Sequence, residues 1–185
     1  MPATTSKTKF DQIVDLPARK EMNSGLTAAS EKTMLAVLGV PGRLTYDCSD
    51  PTGAYAKHIL WNANIGPFKV SGLDSAIGSL RDIFAEVKAT DADLYGQVKK
   101  DGMLCVRHRR SNPQSFSNHS WGAAIDLYFG KDVVEQGRRA THLGNLLLAP
   151  YFNRHGWYWG AGFSGKSVDS MHFELAEETV LKIKL

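Results

Sequence analysis

Two short segments, far apart in the chain, carry residue types that bind metals and transfer protons. The first contains His119 and Asp126, and the second contains Asp169 and His172. Two imidazoles and one carboxylate are a common ligand set for catalytic zinc, and they leave a fourth position for water. We therefore predict a metal site formed by His119, Asp126 and His172.

Asp126 lies in an otherwise apolar stretch, between Ile125 and Leu127. In a strand these neighbours point to the opposite face. An aspartate on an apolar strand needs a partner, because burying an unpaired carboxylate is costly, and a metal ion would be one such partner. A nearby carboxylate that is not a ligand can act as general base and then as acid. Asp169 is placed for that role, since it precedes His172 by only three residues.

Two predicted strands must position these side chains. Residues 123–129 alternate apolar and polar types around Asp126, and residues 171–175 form a second strand candidate that begins near His172. The clearest helix is predicted over 73–88, where apolar residues repeat at intervals of three and four. A shorter helix is predicted to begin after Ser30 as its N-cap and to stop at Gly39.

The remaining elements are shorter. We predict further strands at 54–61, 68–70 and 103–107, a helix at 137–148, and a Trp- and Gly-rich strand and loop at 156–163. Helices and strands mix without a regular βαβ rhythm, which favours the α+β class. The domain prediction is a loose N-terminal lead-in at 1–25 followed by one domain at 26–185.

Composition excludes some classes of protein and leaves one question open. There are 22 Lys and Arg residues against 19 Asp and Glu, for a net charge of +3. This mild excess suits an anionic polymer such as a cell wall and does not indicate a nucleic-acid binder. Met1 to Phe10 lacks the apolar run of a secretory signal, so we expect synthesis in the cytoplasm. Whether Cys48 and Cys105 form a disulfide stays open, because pairing depends on geometry.

The two chemical segments resemble the M15, or VanY-like, metallopeptidases, a family of D-alanyl-D-alanine carboxypeptidases and L-alanyl-D-glutamate endopeptidases. The family pattern Ser-x-His-x-x-Gly-x-Ala-x-Asp is matched at every fixed position between Ser117 and Asp126. An acidic residue, two others and His follow later, as Asp169 and His172. The resemblance extends over about residues 54–176. It implies a small hedgehog/DD-peptidase-like fold with a mainly antiparallel sheet that carries the zinc site.

The resemblance also implies roles for individual residues. The zinc ligands would be His119, Asp126 and His172, with Asp169 as the catalytic acid and base. An upstream arginine would stabilise the oxyanion. Arg107 aligns best with that arginine, and Arg110 remains a candidate.

Other residues have two interpretations each. Trp157 and Trp159 either line the substrate groove or belong to the core. Ser117 either hydrogen-bonds near the ligands or forms a turn. Glu174 either orients a ligand or is an ordinary polar residue of the strand.

The predicted function is hydrolysis of stem peptides in bacterial peptidoglycan by a Zn²⁺-dependent peptidase. We favour an endolysin-like L-alanyl-D-glutamate endopeptidase over a D-alanyl-D-alanine carboxypeptidase. A third alternative is a non-catalytic module that keeps the metal fold and only binds the wall. We expect a monomer that does not insert into membranes and that acts on the cell wall after release or export.

Overall fold

The computed structural model describes residues 9–110 and 112–185. The described helices are α1 (Glu31–Leu38), α2 (Asp74–Thr90), α3 (Ala92–Gln97), α4 (Leu143–Arg154) and α5 (Glu177–Val180). The strands are β1 (Ile13–Asp15), β2 (Ile59–Asn64), β3 (Lys69–Leu73), β4 (Lys99–Gly102), β5 (His108–Arg109), β6 (Asn112–Phe116), β7 (Ala124–Tyr128), β8 (Ala140–His142), β9 (Trp157–Trp159) and β10 (His172–Leu175). Helices and small antiparallel sheets are mixed, as the α+β prediction requires.

The largest sheet contains four antiparallel strands in the order β4-β7-β10-β9. Its two central strands are those predicted at 123–129 and 171–175. Their register places Asp126 directly opposite His172. Cross-strand neighbours in an antiparallel pair lie within about 5.5 Å of each other, so this register joins the two chemical segments.

The long helix α2 packs its apolar stripe into the core. Ile77, Leu80, Phe84 and Val87 are all fully buried. The helix begins at Asp74, whose carboxylate accepts a hydrogen bond from the backbone N–H of Ser75 at 2.6 Å. The prediction from apolar spacing is confirmed, because one continuous buried stripe is enough to define a helix of this length.

The prediction of a strand at 103–107 is wrong. The strand that pairs with β7 is β4, which ends at Gly102, and Val106 makes only an isolated bridge to Ser49. Residues 99–101 are polar and exposed because β4 is the edge strand of the sheet. An edge strand needs little apolar sequence, and its weak pattern was therefore missed.

The predicted helix at 137–148 is displaced toward the C-terminus. Residues 140–142 form β8 and pair with β1, and α4 then extends from Leu143 to Arg154. Pro150 lies inside α4. Tertiary pairing with an N-terminal strand overrides the local helical preference of 137–142.

The N-terminal segment was predicted as a loose lead-in. Residues 9–25, the part of it that the structure describes, pack against the rest of the protein. Residues 13–15 pair with β8, and Phe10 is buried against Phe129 with ring centroids 5.9 Å apart. Asn23 is buried and bonds both backbone groups of Trp159. Residues 1–8 of the predicted lead-in lie outside the described residues.

Cys48 and Cys105 form a disulfide, with Cα atoms 5.1 Å apart. The bond joins the loop before β2 to the segment that leads into β5. No helix among residues 9–110 and 112–185 is both long enough and apolar enough to cross a bilayer.

Candidate metal centre and its cleft

A hydrogen bond to the backbone fixes the orientation of the His119 ring. It lies on a buried 3₁₀ turn at Asn118–Trp121. Its Nδ1 is 2.7 Å from the carbonyl oxygen of Met103, which can only accept a hydrogen bond. The ring therefore carries its proton on Nδ1, and the lone pair on Nε2 faces the cleft.

The turn between His119 and Asp126 depends on Gly122. This residue has φ +63° and ψ 28°, a left-handed conformation. It also lies against β3, since its carbonyl oxygen accepts a hydrogen bond from Leu73 N at 3.0 Å. The chain can then enter β7 directly and bring Asp126 beside His119. The geometry of this turn thus explains the glycine in the sequence pattern.

The three predicted ligands converge. His119 Nε2 lies 3.2 Å from Asp126 Oδ2, His172 Nδ1 lies 3.0 Å from Asp126 Oδ1, and the two ring nitrogens are 3.2 Å apart. Atoms that share a tetrahedral zinc at about 2.0–2.1 Å are about 3.3 Å from each other. The observed separations are close to this value.

His172 presents the opposite nitrogen from His119. Its Nε2 donates a hydrogen bond to Glu174 Oε2 at 2.9 Å, which leaves Nδ1 to face Asp126. Glu174 follows His172 by two residues on β10 and is only 4% exposed. A carboxylate behind a ligand histidine fixes the ring and increases its basicity. The interpretation of Glu174 as an orienting residue agrees with this contact.

The charges of His119, Asp126 and His172 favour a bound cation. Burial by itself would raise the pKa of the Asp126 carboxyl, but His119 and His172 outweigh it and hold that pKa far below its usual range. Burial would lower the pKa of His172, whereas hydrogen bonds that its ring donates to the Asp126 and Glu174 carboxylates raise it well above its usual value. Without a metal, a proton on His172 provides the compensating positive charge.

The donor set fits a metal ion. The ligand atoms of His119, Asp126 and His172 all lie within 4.8 Å of one another, so this group could hold one. Two imidazole nitrogens and one carboxylate oxygen match the chemistry of catalytic zinc, and both ring tautomers are fixed by outer partners. The donors are therefore of a kind that zinc binds.

Asp169 lies beside the ligands without bonding to the metal group. Its carbonyl oxygen accepts a hydrogen bond from His172 N at 3.3 Å, and its N–H donates to Gly160 O at 3.1 Å. The Oδ1 atom is buried and has no hydrogen-bond partner among the described residues. Burial raises the pKa of this carboxyl, with Asp126 adding to the effect and the two histidines opposing it. A carboxyl with a raised pKa suits proton transfer near neutral pH.

Arginine side chains from the segment around β5 line one part of the cleft. Arg107 is half-buried, and its Nη1 donates to the carbonyl oxygen of His108 at 3.0 Å. Burial lowers the pKa of Arg107, and Arg110 lowers it further, while the charges of Asp126 and Asp169 raise it. Arg107 lines the same cleft as both of these carboxylates. Arg109 and Arg110 line the same cleft.

The cleft that contains these groups has a volume of about 410 Å³. It is lined by seven of the predicted site residues, Asp169, Arg107, His119, Asp126, His172, Arg110 and Ser117. Trp157 and Trp159 do not line it. Their side chains are buried in the core, where their indole N–H groups bond Ser79 Oγ and Ser170 O. Of the two interpretations of these tryptophans, the core interpretation agrees with these contacts, and the substrate-binding interpretation is corrected.

Other cleft residues were not predicted from the sequence. Phe163 lies with its ring centroid 5.8 Å from that of His172, and residues 133–136 also line the cleft. Asn118 is buried and also lines the cleft. A signal existed only for Asn118, which lies inside the pattern from Ser117 to Asp126. Residues 133–136 come from a loop whose position depends on tertiary structure.

Residues 110–175 match a family model described as D-alanyl-D-alanine carboxypeptidase, of the M15 peptidases. The similarity to the M15 peptidases covers this segment, which is about a third of the chain. The matched segment contains His119, Asp126, Asp169 and His172, and it begins after Arg107. No curated protein matches the chain. The family match supports a hydrolase that acts on peptidoglycan.

Proposed function

We propose that this protein is a zinc-dependent peptidase of the M15 family that hydrolyses stem peptides of peptidoglycan. The observation that carries the proposal is the convergence of three donors at 3.0–3.2 Å beside a buried carboxyl that is not a ligand. A ligand set alone would suit a structural metal. The extra carboxyl of Asp169 is the component that hydrolysis requires.

Zinc, when bound, would activate a water molecule and polarise the carbonyl group under attack. Asp169 would accept the proton that this water loses as the oxygen–carbon bond forms. It would then return the proton to the leaving nitrogen as the carbon–nitrogen bond breaks. The raised pKa of Asp169 suits both steps, because the same group must accept and donate.

Arg107 would stabilise the negative oxygen that develops on the carbonyl. Its guanidinium lines the cleft with the ligands and remains charged despite partial burial. A fixed donor aimed at developing charge is worth more in a water-poor site than in solvent. Arg110 lies farther out, since it is exposed, and would contact substrate before it contacts the reacting carbonyl.

The bond that is cut is a finer proposal, and we propose L-alanyl-D-glutamate. D-glutamate in a stem peptide continues through its side-chain carboxyl, so its α-carboxylate stays free next to the scissile nitrogen. Arg109 and Arg110 line the cleft, and their positive charges would bind this free α-carboxylate. A terminal D-alanine carries a carboxylate at the same position, and the arginines therefore also favour D-alanyl-D-alanine carboxypeptidase as a second candidate.

Digestion of purified sacculi, followed by mass spectrometry, would test the reaction and the bond. New alanine C-termini together with glutamate N-termini support the endopeptidase, and free D-alanine supports the carboxypeptidase. Hydrolysis should stop with a chelator and return with zinc. A wild-type protein that hydrolyses no peptidoglycan in the presence of zinc would contradict the proposal and favour a non-catalytic wall-binding module.

The proposed place of action is the cell wall, reached after synthesis in the cytoplasm by release or export. We propose that the protein acts there as a monomer. Fractionation of producing cells, with zymography of each fraction on embedded sacculi, would test the location. Activity that stays confined to cytoplasmic extracts would count against it.

A further inference from the structure

We propose that Glu174 and Asn118 form a buried positioning pair that fixes the ring of His172 and so sets the affinity of the site for its metal. This inference rests on the proposed zinc site. It concerns residues that would not touch the metal. Their contacts distinguish them from ordinary polar residues of a strand.

Three hydrogen-bond donors surround the carboxylate of Glu174. Its Oε2 accepts from His172 Nε2 at 2.9 Å and from Asn118 Nδ2 at 2.8 Å, and its Oε1 accepts from Ala29 N at 3.1 Å. A carboxylate held by three donors cannot rotate without losing several hydrogen bonds. The position of the His172 ring is therefore fixed by a rigid acceptor.

Asn118 connects this acceptor to the first chemical segment. Its amide nitrogen also lies 3.2 Å from the carbonyl oxygen of Ala29. Both partners of that nitrogen, Glu174 Oε2 and Ala29 O, can only accept hydrogen bonds, so the amide orientation is determined. Asn118 directly precedes His119. One hydrogen-bonded unit thus reaches both histidine ligands, one through the backbone and the other through Glu174.

The N-terminal part of the chain completes the pair. Ala29 supplies one donor and one acceptor to it, although residues 26–30 lie well outside the segment that matches the M15 family. Two neighbouring carboxylates, Glu177 and Glu178, accept from the backbone N–H groups of Ser30 and Thr27 at 2.7 and 3.1 Å. These two hold the same segment but do not bond a ligand. They provide a natural comparison for Glu174.

The chemical consequence concerns which nitrogen of His172 is free. Because Nε2 donates to Glu174, Nδ1 keeps its lone pair for the metal. Loss of the carboxylate would let the ring take either tautomer and rotate. Removal of an outer partner of a ligand histidine typically lowers metal affinity by about 10–100-fold.

Zinc affinity, measured by competition with a chromophoric chelator, tests the proposal without using activity. We expect Glu174→Gln to bind zinc about 10–100-fold more weakly than wild type. Glu178→Gln is the matched control, since it removes the same charge from a residue that bonds the segment 27–30 without contacting His172, and its affinity should equal that of wild type. Equal losses in both variants, or no loss in Glu174→Gln, would overturn the proposal.

A second variant and a spectroscopic measurement test the proposal even if Glu174→Gln fails to fold. Asn118→Ala keeps the carboxylate and removes one of its donors, so we expect a smaller loss of zinc affinity in the same direction. Long-range ¹H–¹⁵N spectra of zinc-loaded wild type should show the His172 proton on Nε2. If the proton is found on Nδ1, or if Asn118→Ala binds zinc as wild type does, the pair has no positioning role.

The outcomes also separate this inference from the proposed function. If wild type binds zinc tightly but cleaves no peptidoglycan, the function fails and the affinity comparison still decides the role of Glu174. If Glu174→Gln binds zinc as tightly as wild type and still cleaves peptidoglycan, the positioning role fails and the function stands.

Discussion

Replacing Gly122 with alanine would perturb the turn that separates His119 from Asp126. Gly122 has φ +63°, and a Cβ added there would lie 2.7 Å from Gly72 Cα and 2.8 Å from Leu73 N. Both are backbone atoms at the end of β3, so no side-chain rotation can relieve the overlap. The substitution must move one of the two segments apart from the other.

The cost has two parts that the structure identifies. A left-handed conformation costs a non-glycine residue about 1–2 kcal/mol. Separating the segments also weakens the hydrogen bond from Leu73 N to Gly122 O, which is worth about 1 kcal/mol. The sum is about 2–3 kcal/mol. For a chain of this size, each kcal/mol lowers Tm by about 2–4 °C, so we expect Gly122→Ala to lower Tm by about 4–12 °C.

Thermal unfolding of the metal-free protein, followed by circular dichroism, would measure this effect. Gly78→Ala is the matched control, because Gly78 lies within α2 and an added Cβ would meet no atom within 4 Å. Alanine there should raise stability by about 1 kcal/mol through helix propensity. The same chemical change should therefore have opposite signs at the two positions.

Zinc binding gives a second measurement on the same pair of variants. Gly122→Ala should weaken zinc binding, since a shift of the turn changes the separation between His119 Nε2 and Asp126 Oδ2, which is 3.2 Å. Gly78→Ala should leave it unchanged. A Tm for Gly122→Ala within about 2 °C of wild type, with unchanged zinc affinity, would refute the reasoning, because less than 1 kcal/mol would then separate the two proteins.

Three further predictions concern the proposed chemistry. Asp169→Ala should retain zinc yet lose about 10²–10⁴-fold in kcat/KM on sacculi, the usual contribution of a general base, and loss of zinc in this variant would contradict its role. Arg107→Ala should lower kcat by about 10²–10³-fold at unchanged zinc affinity, as expected for an oxyanion donor, and a change confined to KM would assign it to substrate binding instead. Zinc at about 1,000 times its Kd should add about 4 kcal/mol of stability to wild type and raise its Tm. The His119→Ala variant should lose this increase. An equal increase in both proteins would exclude His119 as a ligand.

Much of the site could be predicted because its residues carry a local pattern. The interval from His119 to Asp126 and the interval from Asp169 to His172 are short, and each lies at or near a strand with strong apolar alternation. The helix α2 was equally clear, since its stripe is continuous over several turns. Local periodicity and residue type are properties of the sequence itself.

Elements that depend on long-range pairing could not be predicted in this way. β4 is a polar edge strand, and β8 exists because β1 pairs with it from the other end of the described chain. The role of residues 9–25 follows from the same kind of contact, for example between Asn23 and Trp159. Nothing in a local window reports such partners.

The sequence by itself determined the ligand types, their order and the class of chemistry, because metal donors and a general base are defined by functional groups. Tertiary structure alone decided which nitrogen of each histidine faces the cleft. That choice depends on Met103 O for His119 and on Glu174 for His172, and hydrogen-bond partners are fixed only when the strands are in register. It also decided that Trp157 and Trp159 belong to the core, since the direction of a side chain on a sheet depends on what packs against each face.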